Sequence, residues 1–272
     1  MSTEIPQSRP SRASFFDRFP RVNVMGIPIA KIDLEELLRY VGDSVRSAPS
    51  RGTMPRTIAY ANAHSCILFH DHPEYREALL PVNLVYTDGN GPRVAAWLAG
   101  EYLPPRMTGA DWFDELCSLC AYEGFSLYLL GAAPGVASKA SEVIRRHHPG
   151  LVVLGQHHGY FSQEEELEIL RSIRELSPDI LVLGMGSPRQ EIWMTEKKRD
   201  LPVPVIWAAG GVFDYASGHT RRVPLWIRKL ALEWLGRVFM DPRRLGPRYM
   251  RDIPLFVSRS LADGLKQRLK TQ

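Results

Sequence analysis

Four side chains in the second half of the chain share a setting in which anion chemistry is natural. Arg189, Gln190 and Glu191 follow Gly184, Gly186 and the pair Ser187-Pro188, and Asp214 follows Gly210-Gly211. A serine before a proline reads as an N-cap with proline at the first helical position. The three residues then fall in a first helical turn, beside N–H groups without intrahelical acceptors and at the positive end of the helix dipole. Guanidinium, amide and carboxylate groups in that place suit a nucleotide-type ligand. The same glycines read equally as α/β turn punctuation, because Gly184-Met185-Gly186 lacks the third glycine of a dinucleotide fingerprint. Asp88, followed by Gly89 and Gly91, stands at the end of another apolar run. Its carboxylate either projects into a cleft, where it could take a proton, or bonds the backbone of an Asp-Gly turn. Spacing alone leaves both pairs of readings open.

The elements that must position these groups alternate. Val22–Ile29 reads as a short hairpin, and Asp33 caps a helix to about Val45. Strands are expected at Thr57–Ala61, Asn83–Tyr86, Phe125–Leu130, Leu151–Leu154, Ile180–Leu183 and Pro202–Ala209. Helices are expected at His64–Leu80 with a break near Pro73, at Gly91–Leu98, at Pro134–His147 and at Gln163–Leu176. Ser162 and Glu165 form a capping box at the start of the last of these. From Phe125 onward the β-α-β-α series predicts a Rossmann-like parallel sheet with helices on both faces. Ligands of such sheets bind beyond the carboxyl ends of the strands.

Three units follow from composition: a polar segment 1–20 expected to be disordered, an α/β body 21–218, and a basic, mostly helical appendage 219–272. The appendage holds 13 Lys and Arg against 4 Asp and Glu, a net +9 in a chain of net +4, so the body carries −5. A basic tail points to an anionic partner, nucleic acid or an anionic membrane leaflet. Trp226, Leu230, Trp234 and Val238 recur at four-residue spacing and predict an amphipathic helix. Its stripe either packs on the protein core or lies on a membrane surface. A last helix is expected from about Pro254 to Leu269. No apolar run is long enough to span a bilayer. Three cysteines, Cys66, Cys117 and Cys120, make no disulfide framework and fit a reducing cytoplasm. Cys117 and Cys120 have redox spacing but lie inside a helix and read as core. The pairs His147-His148 and His157-His158, and His70-Asp71-His72, show no four-ligand metal layout, so no metal and no cofactor is expected.

Taken together, Thr87-Asp88-Gly89-Asn90-Gly91, Arg106-Met107-Thr108-Gly109-Ala110-Asp111, Gly186-Ser187-Pro188-Arg189-Gln190-Glu191, Gly211-Val212-Phe213-Asp214 and Leu232-Glu233-Trp234-Leu235-Gly236-Arg237 closely resemble the WecG/TagA/CpsF family of bacterial glycosyltransferases. The resemblance runs from about Val22 to about Pro254. It implies an inverting, metal-independent transfer of a hexose or N-acetylhexosamine from a UDP-sugar to a polyprenyl-diphosphate-linked saccharide. The setting would be exopolysaccharide, capsule or cell-wall polymer synthesis at the inner face of the cytoplasmic membrane. It carries the role of catalytic base onto Asp88, with Glu191 as a second acid/base candidate. Asn62, Thr108, Gly109, Asp111, Gly131, Gly186, Pro188, Arg189, Gln190, Gly211 and Asp214 become candidate substrate-binding residues.

No Asp-x-Asp occurs in the chain, so fixed donors and cations must balance the leaving diphosphate. By the resemblance the C-terminal segment folds over the active site, and Arg221, Arg222 and Arg237 are its candidate arginines, with Arg243, Arg244 and Arg248 behind them. One departure stands out. Many members have threonine two residues before the strand-end asparagine, and this chain has Tyr60, a bulky phenol. Self-association, as among family members, is a further expectation. Two alternatives stay open: a nicotinamide-dependent oxidoreductase on a similar sheet, and a non-enzymatic nucleic-acid-binding protein using the tail. The missing third glycine weighs against the first. Tryptophans on the apolar stripe, where they cannot stack on bases, weigh against the second.

Overall fold

The computed structural model describes residues 19–48, 54–220, 233–240 and 242–270. The expected disordered segment 1–20 therefore lies almost wholly outside the described residues, as does most of the stripe at Trp226–Val238.

A six-stranded parallel sheet forms the centre. An antiparallel hairpin precedes it, β1 (Arg21–Val24) with β2 (Ile27–Ala30). The sheet strands are β3 (Arg56–Ala61), β4 (Leu84–Thr87), β5 (Ser126–Gly131), β6 (Val152–His157), β7 (Ile180–Gly184) and β8 (Val205–Ala208). Their order is β4-β3-β8-β7-β5-β6. The inner strands are continuous apolar runs because both faces are covered; all five residues of β7 are buried. Helices α1 (Leu34–Ser47), α5 (Gly109–Glu123), α6 (Val136–His147) and α9 (Val212–Ala216) contribute to a core on one face. The hairpin and helices α2 (Ala63–Asp71), α3 (Pro73–Leu79), α4 (Gly91–Leu98), α7 (Gln163–Leu176) and α8 (Arg189–Lys197) share the core on the other.

Trp112 of α5 stacks on Trp207 of β8 with ring centroids 3.9 Å apart. Such a pair contributes about 0.5–1.5 kcal/mol beyond its buried area. Cys66, Cys117 and Cys120 are all buried and free, and burial pushes the Cys66 and Cys120 thiols up to about 12.

Most boundaries fall within a residue or two of the sequence pattern, and three differences have a clear physical cause. Strand β6 extends through Gly155, Gln156 and His157, which look like loop residues. As an edge strand it pairs only with β5, so its outer side tolerates polar groups. Strand β8 is shorter than Pro202–Ala209, because Pro202 and Pro204 have no N–H to give a ladder. The C-terminal elements are α10 (Glu233–Met240) and α11 (Pro242–Lys270), and α11 runs through Pro247 and Pro254 instead of starting at Pro254. Proline disfavours a helix interior. Here tertiary contacts hold the turns before Pro254: Arg251 pairs with Asp71 at 3.1 Å and Asp252 with His64 at 2.6 Å. Phe256 and Ser260 are buried, and a side chain at Gly264 would meet the Leu98 backbone at 2.9 Å. This part of the chain is thus packed into the body through α2, α4 and the hairpin. Among the described residues no helix is long and apolar enough to cross a membrane.

Candidate functional site

A cleft of about 1020 Å³ opens over the carboxyl ends of the sheet strands. All six strands feed it: Tyr60 near the end of β3 and Asn62 just after it, Asp88 after β4, Ala132 after β5, Gly159 after β6, Met185 after β7 and Gly210 after β8. The glycines permit close approach of one strand end to another. At Gly131, with φ +151°, a Cβ would lie 2.3 Å from the Gly184 carbonyl carbon. Only glycine fits that crossing.

Asp88 is half-buried on this floor, and its N–H donates to Ala61 O at 2.8 Å. Asn62 is the N-cap of α2; its Oδ1 accepts from Ser65 N at 3.0 Å. That bond fixes the amide so that Nδ2 donates to Asp88 Oδ2 at 3.2 Å. A helix cap thereby orients the carboxylate, and Asp88 stands in the cleft and not in a solvent-facing turn.

Beneath the β7 and β8 ends lies a buried polar cluster. Gln190 and Glu191 are fully buried. Gln190 Oε1 accepts from Gly210 N at 3.0 Å and from Gly186 N at 3.3 Å, bridging both glycine turns. Its Nε2 donates to Glu191 Oε1 at 2.8 Å, and Ser187 Oγ donates to the same oxygen at 2.8 Å. Glu191 Oε2 has no hydrogen-bond partner. Burial outweighs these donors and raises the Glu191 carboxyl above the usual carboxylate range, which favours its neutral form. Tyr60 sits over the cluster, its hydroxyl 3.4 Å from Ser187 Oγ and close against Gly210. Burial, then the nearby Glu191, raises its phenol well above its ordinary value.

Cationic groups face the cleft from two sides. Arg189 lies over the Phe161 ring, 4.8 Å from its centroid, and Arg248 reaches the cleft from α11. The carboxylates lining it among the described residues are Asp88 and Asp214. His157, His158 and Glu165 bring potential metal-ligating atoms within 4.8 Å of one another. His157 Nδ1 already donates to His158 O at 2.9 Å, and Glu165 accepts Ser162 N at 2.7 Å in the capping box.

The structure separates the sequence candidates. Asp88, Asn62, Gly109, Gly186, Arg189, Gly211 and Asp214 line the cleft. Gln190 and Glu191 are placed under it instead. Ser187 does not cap α8: the helix begins at Arg189 with Pro188 at the N-cap position, and the Ser187 hydroxyl serves Glu191. Pro188 and Gly131 shape the floor without lining it. Thr108 and Asp111 do not line it either; they form the capping box of α5, with Asp111 Oδ2 accepting from Thr108 N at 3.1 Å and Oγ1 at 2.8 Å. The Thr-x-x-Asp spacing is itself the local signal for that box. Arg221 and Arg222 lie outside the described residues, as does the side chain of Arg237. His64 was missed, although it follows the strand-end Asn62 by two residues and lines the cleft.

Residues 22–270 match the glycosyl transferase WecG/TagA/CpsF family. Similar curated proteins are N-acetylglucosaminyldiphosphoundecaprenol N-acetyl-beta-D-mannosaminyltransferases of Staphylococcus aureus. That of strain MW2 is 27% identical over 239 residues, 87% of this chain and 92% of the relative. That of strain NCTC 8325 / PS 47 is 26% identical over the same shares.

Proposed function

The chain belongs to the WecG/TagA/CpsF family of glycosyl transferases, and we propose that it moves a hexose or N-acetylhexosamine from a UDP-sugar to a hydroxyl of a polyprenyl-diphosphate-linked saccharide. Transfer would invert the anomeric centre and use no metal, in the synthesis of a bacterial envelope polymer. The observation that carries this reading is Asp88, held by Asn62 in a cleft formed by strand ends, with Arg189 and Arg248 on its walls. The names of the Staphylococcus aureus relatives specify a lipid-diphosphate acceptor, which supports the acceptor class.

In the proposed step Asp88 takes the acceptor hydroxyl proton as that oxygen bonds to the anomeric carbon. The bond from this carbon to the diphosphate oxygen breaks on the opposite side, and UDP leaves with the electron pair. Fixed guanidinium groups suit the charge that develops there, because the planar fork pairs with phosphate oxygens. Arg189 and Arg248 fill that role here, with Arg221, Arg222 and Arg237 as further candidates. Gln190 and Glu191 are proposed to act from below, joined to the cleft wall through Ser187, by setting the shape of the two glycine turns that meet the donor.

The acceptor sits in a membrane, and α11 offers a surface for one. Val257, Leu261, Leu265 and Leu269 are exposed along it, interspersed with Arg251, Lys266 and Arg268. Exposed apolar side chains among cations suit an anionic leaflet. That surface supports a working position for the enzyme at the inner face of the cytoplasmic membrane.

The test is UDP release from a panel of UDP-sugars, with and without a polyprenyl-diphosphate-linked saccharide, in the presence of EDTA. Acceptor-dependent release from one donor, unchanged by the chelator, is expected. Release that ignores the acceptor would overturn the transferase reading, and loss on chelation would overturn metal independence.

A further inference from the structure

His64 and Asp252 make a contact that the proposed chemistry leaves unused. His64 is in the first turn of α2 and lines the cleft, two residues from the Asn62 that holds Asp88. Asp252 comes from α11, nearly two hundred residues later, and its side chain is 6% exposed. Their closest atoms, His64 Nδ1 and Asp252 Oδ2, are 2.6 Å apart. A carboxylate only accepts, so Nδ1 carries the proton. In a neutral ring this leaves the lone pair on Nε2, the nitrogen of this cleft-lining ring that Asp252 does not engage.

We propose that His64 is a substrate-binding group whose Nε2 accepts a hydrogen bond from a saccharide hydroxyl beside Asp88, and that Asp252 is the positioning residue that fixes its tautomer. The proposal rests on the glycosyltransferase reading and deepens it. It makes the C-terminal helix part of the binding site through a side chain on the body. The charged groups that face the ring are Asp252, Arg248 and Arg251, all from α11. Burial and Arg248 lower the imidazole's affinity for a second proton, Asp252 raises it, and the net direction is below the ordinary histidine value. At neutral pH the ring is therefore an acceptor. Below its folded pKa it becomes a donor at both nitrogens and the hydroxyl loses its partner.

Asp71 supplies the control. It receives Arg251 at 3.1 Å and Arg259 at 2.8 Å, so Asp71→Asn loosens α11 on α2 without touching His64. The experiment measures kcat/KM against pH from 5 to 8 for the full-length wild type, Asp252→Asn, His64→Gln and Asp71→Asn. It is paired with nitrogen-15 histidine NMR of the wild type, before and after adding a short-chain polyprenyl-diphosphate N-acetylglucosamine.

Wild type should show an acid limb and an Nδ1–H tautomer, with the Nε2 signal shifting on addition of the saccharide. Asp252→Asn should lower kcat/KM about tenfold at pH 7.5, the effect of one hydrogen bond, and move the limb to lower pH. His64→Gln keeps an acceptor but not a titration, so its limb should vanish. Asp71→Asn should match wild type. An Nε2–H tautomer in the wild type, a limb that persists in His64→Gln, or an Asp71→Asn profile equal to that of Asp252→Asn would overturn the inference. If the wild type turns over no donor, the functional reading fails instead. The inference is then decided by the NMR shift, whose absence overturns it.

Discussion

Replacing Gln190 tests whether the buried amide is what holds the two glycine turns together. Gln190→Leu keeps most of the volume but removes the acceptor for Gly210 N and Gly186 N and the donor to Glu191 Oε1. The Gly210 N–H is buried, and an unpaired buried donor costs about 1–3 kcal/mol. Gly186 is only half-buried, so water can recover part of its bond. Glu191 Oε1 keeps Ser187 as a donor. The sum is about 3 kcal/mol, or roughly two decades in the folding equilibrium. Gln190→Ala adds a cavity and should cost about 1 kcal/mol more. Urea unfolding checks the figure through the midpoint at unchanged slope. Because Gly186 and Gly210 line the cleft, kcat/KM should fall in the variant that remains folded. A loss of stability below about 1 kcal/mol in Gln190→Leu would refute the account of the turns.

Glu191 carries a pH signature. Its folded pKa is raised by burial, so its contribution is fully present below the unfolded value and is lost as pH rises through the folded one. Over that window wild type should lose about 1.4 kcal/mol of stability per pH unit relative to Glu191→Gln; denaturation of both proteins from pH 4.5 upward measures this, and parallel curves would contradict it. Arg248→Ala should raise KM for the UDP-sugar by about 10- to 100-fold, the worth of a charge-assisted bond, with Arg248→Lys restoring part of it. Initial-rate kinetics at saturating acceptor would show this, and an unchanged KM would remove Arg248 from the donor site.

The α/β architecture was legible because its signals are local. Apolar runs such as Ile180–Leu183 end at glycines, and Ser162 with Glu165 marks a helix start. The cleft followed from the same feature, since residues after parallel strands share one edge. Burial of Gln190 and Glu191 was not legible. In the sequence they are first-turn polar residues, a place that is usually exposed. They are buried because β7 and β8 end side by side and their turns need a common acceptor. Thr108 and Asp111 sit in a block shared with the family, yet their positions serve a helix cap. The contact between His64 and Asp252 could not be read at all, because nothing local links side chains so far apart in the chain. The start of α11 was misplaced for a similar reason: Pro254 is a local stop signal, overridden by the Arg251–Asp71 ion pair and the Asp252–His64 hydrogen bond, both to α2.

The central claim is that Asp88 takes the acceptor proton, and Asp88→Asn tests it most directly. The substitution is nearly isosteric and leaves an oxygen able to accept from Asn62 Nδ2. Acceptor-dependent UDP release should fall by about 10²- to 10⁴-fold in kcat, while KM for the donor and the unfolding midpoint stay close to wild type. Release at wild-type rate from Asp88→Asn would contradict the account and move the base elsewhere.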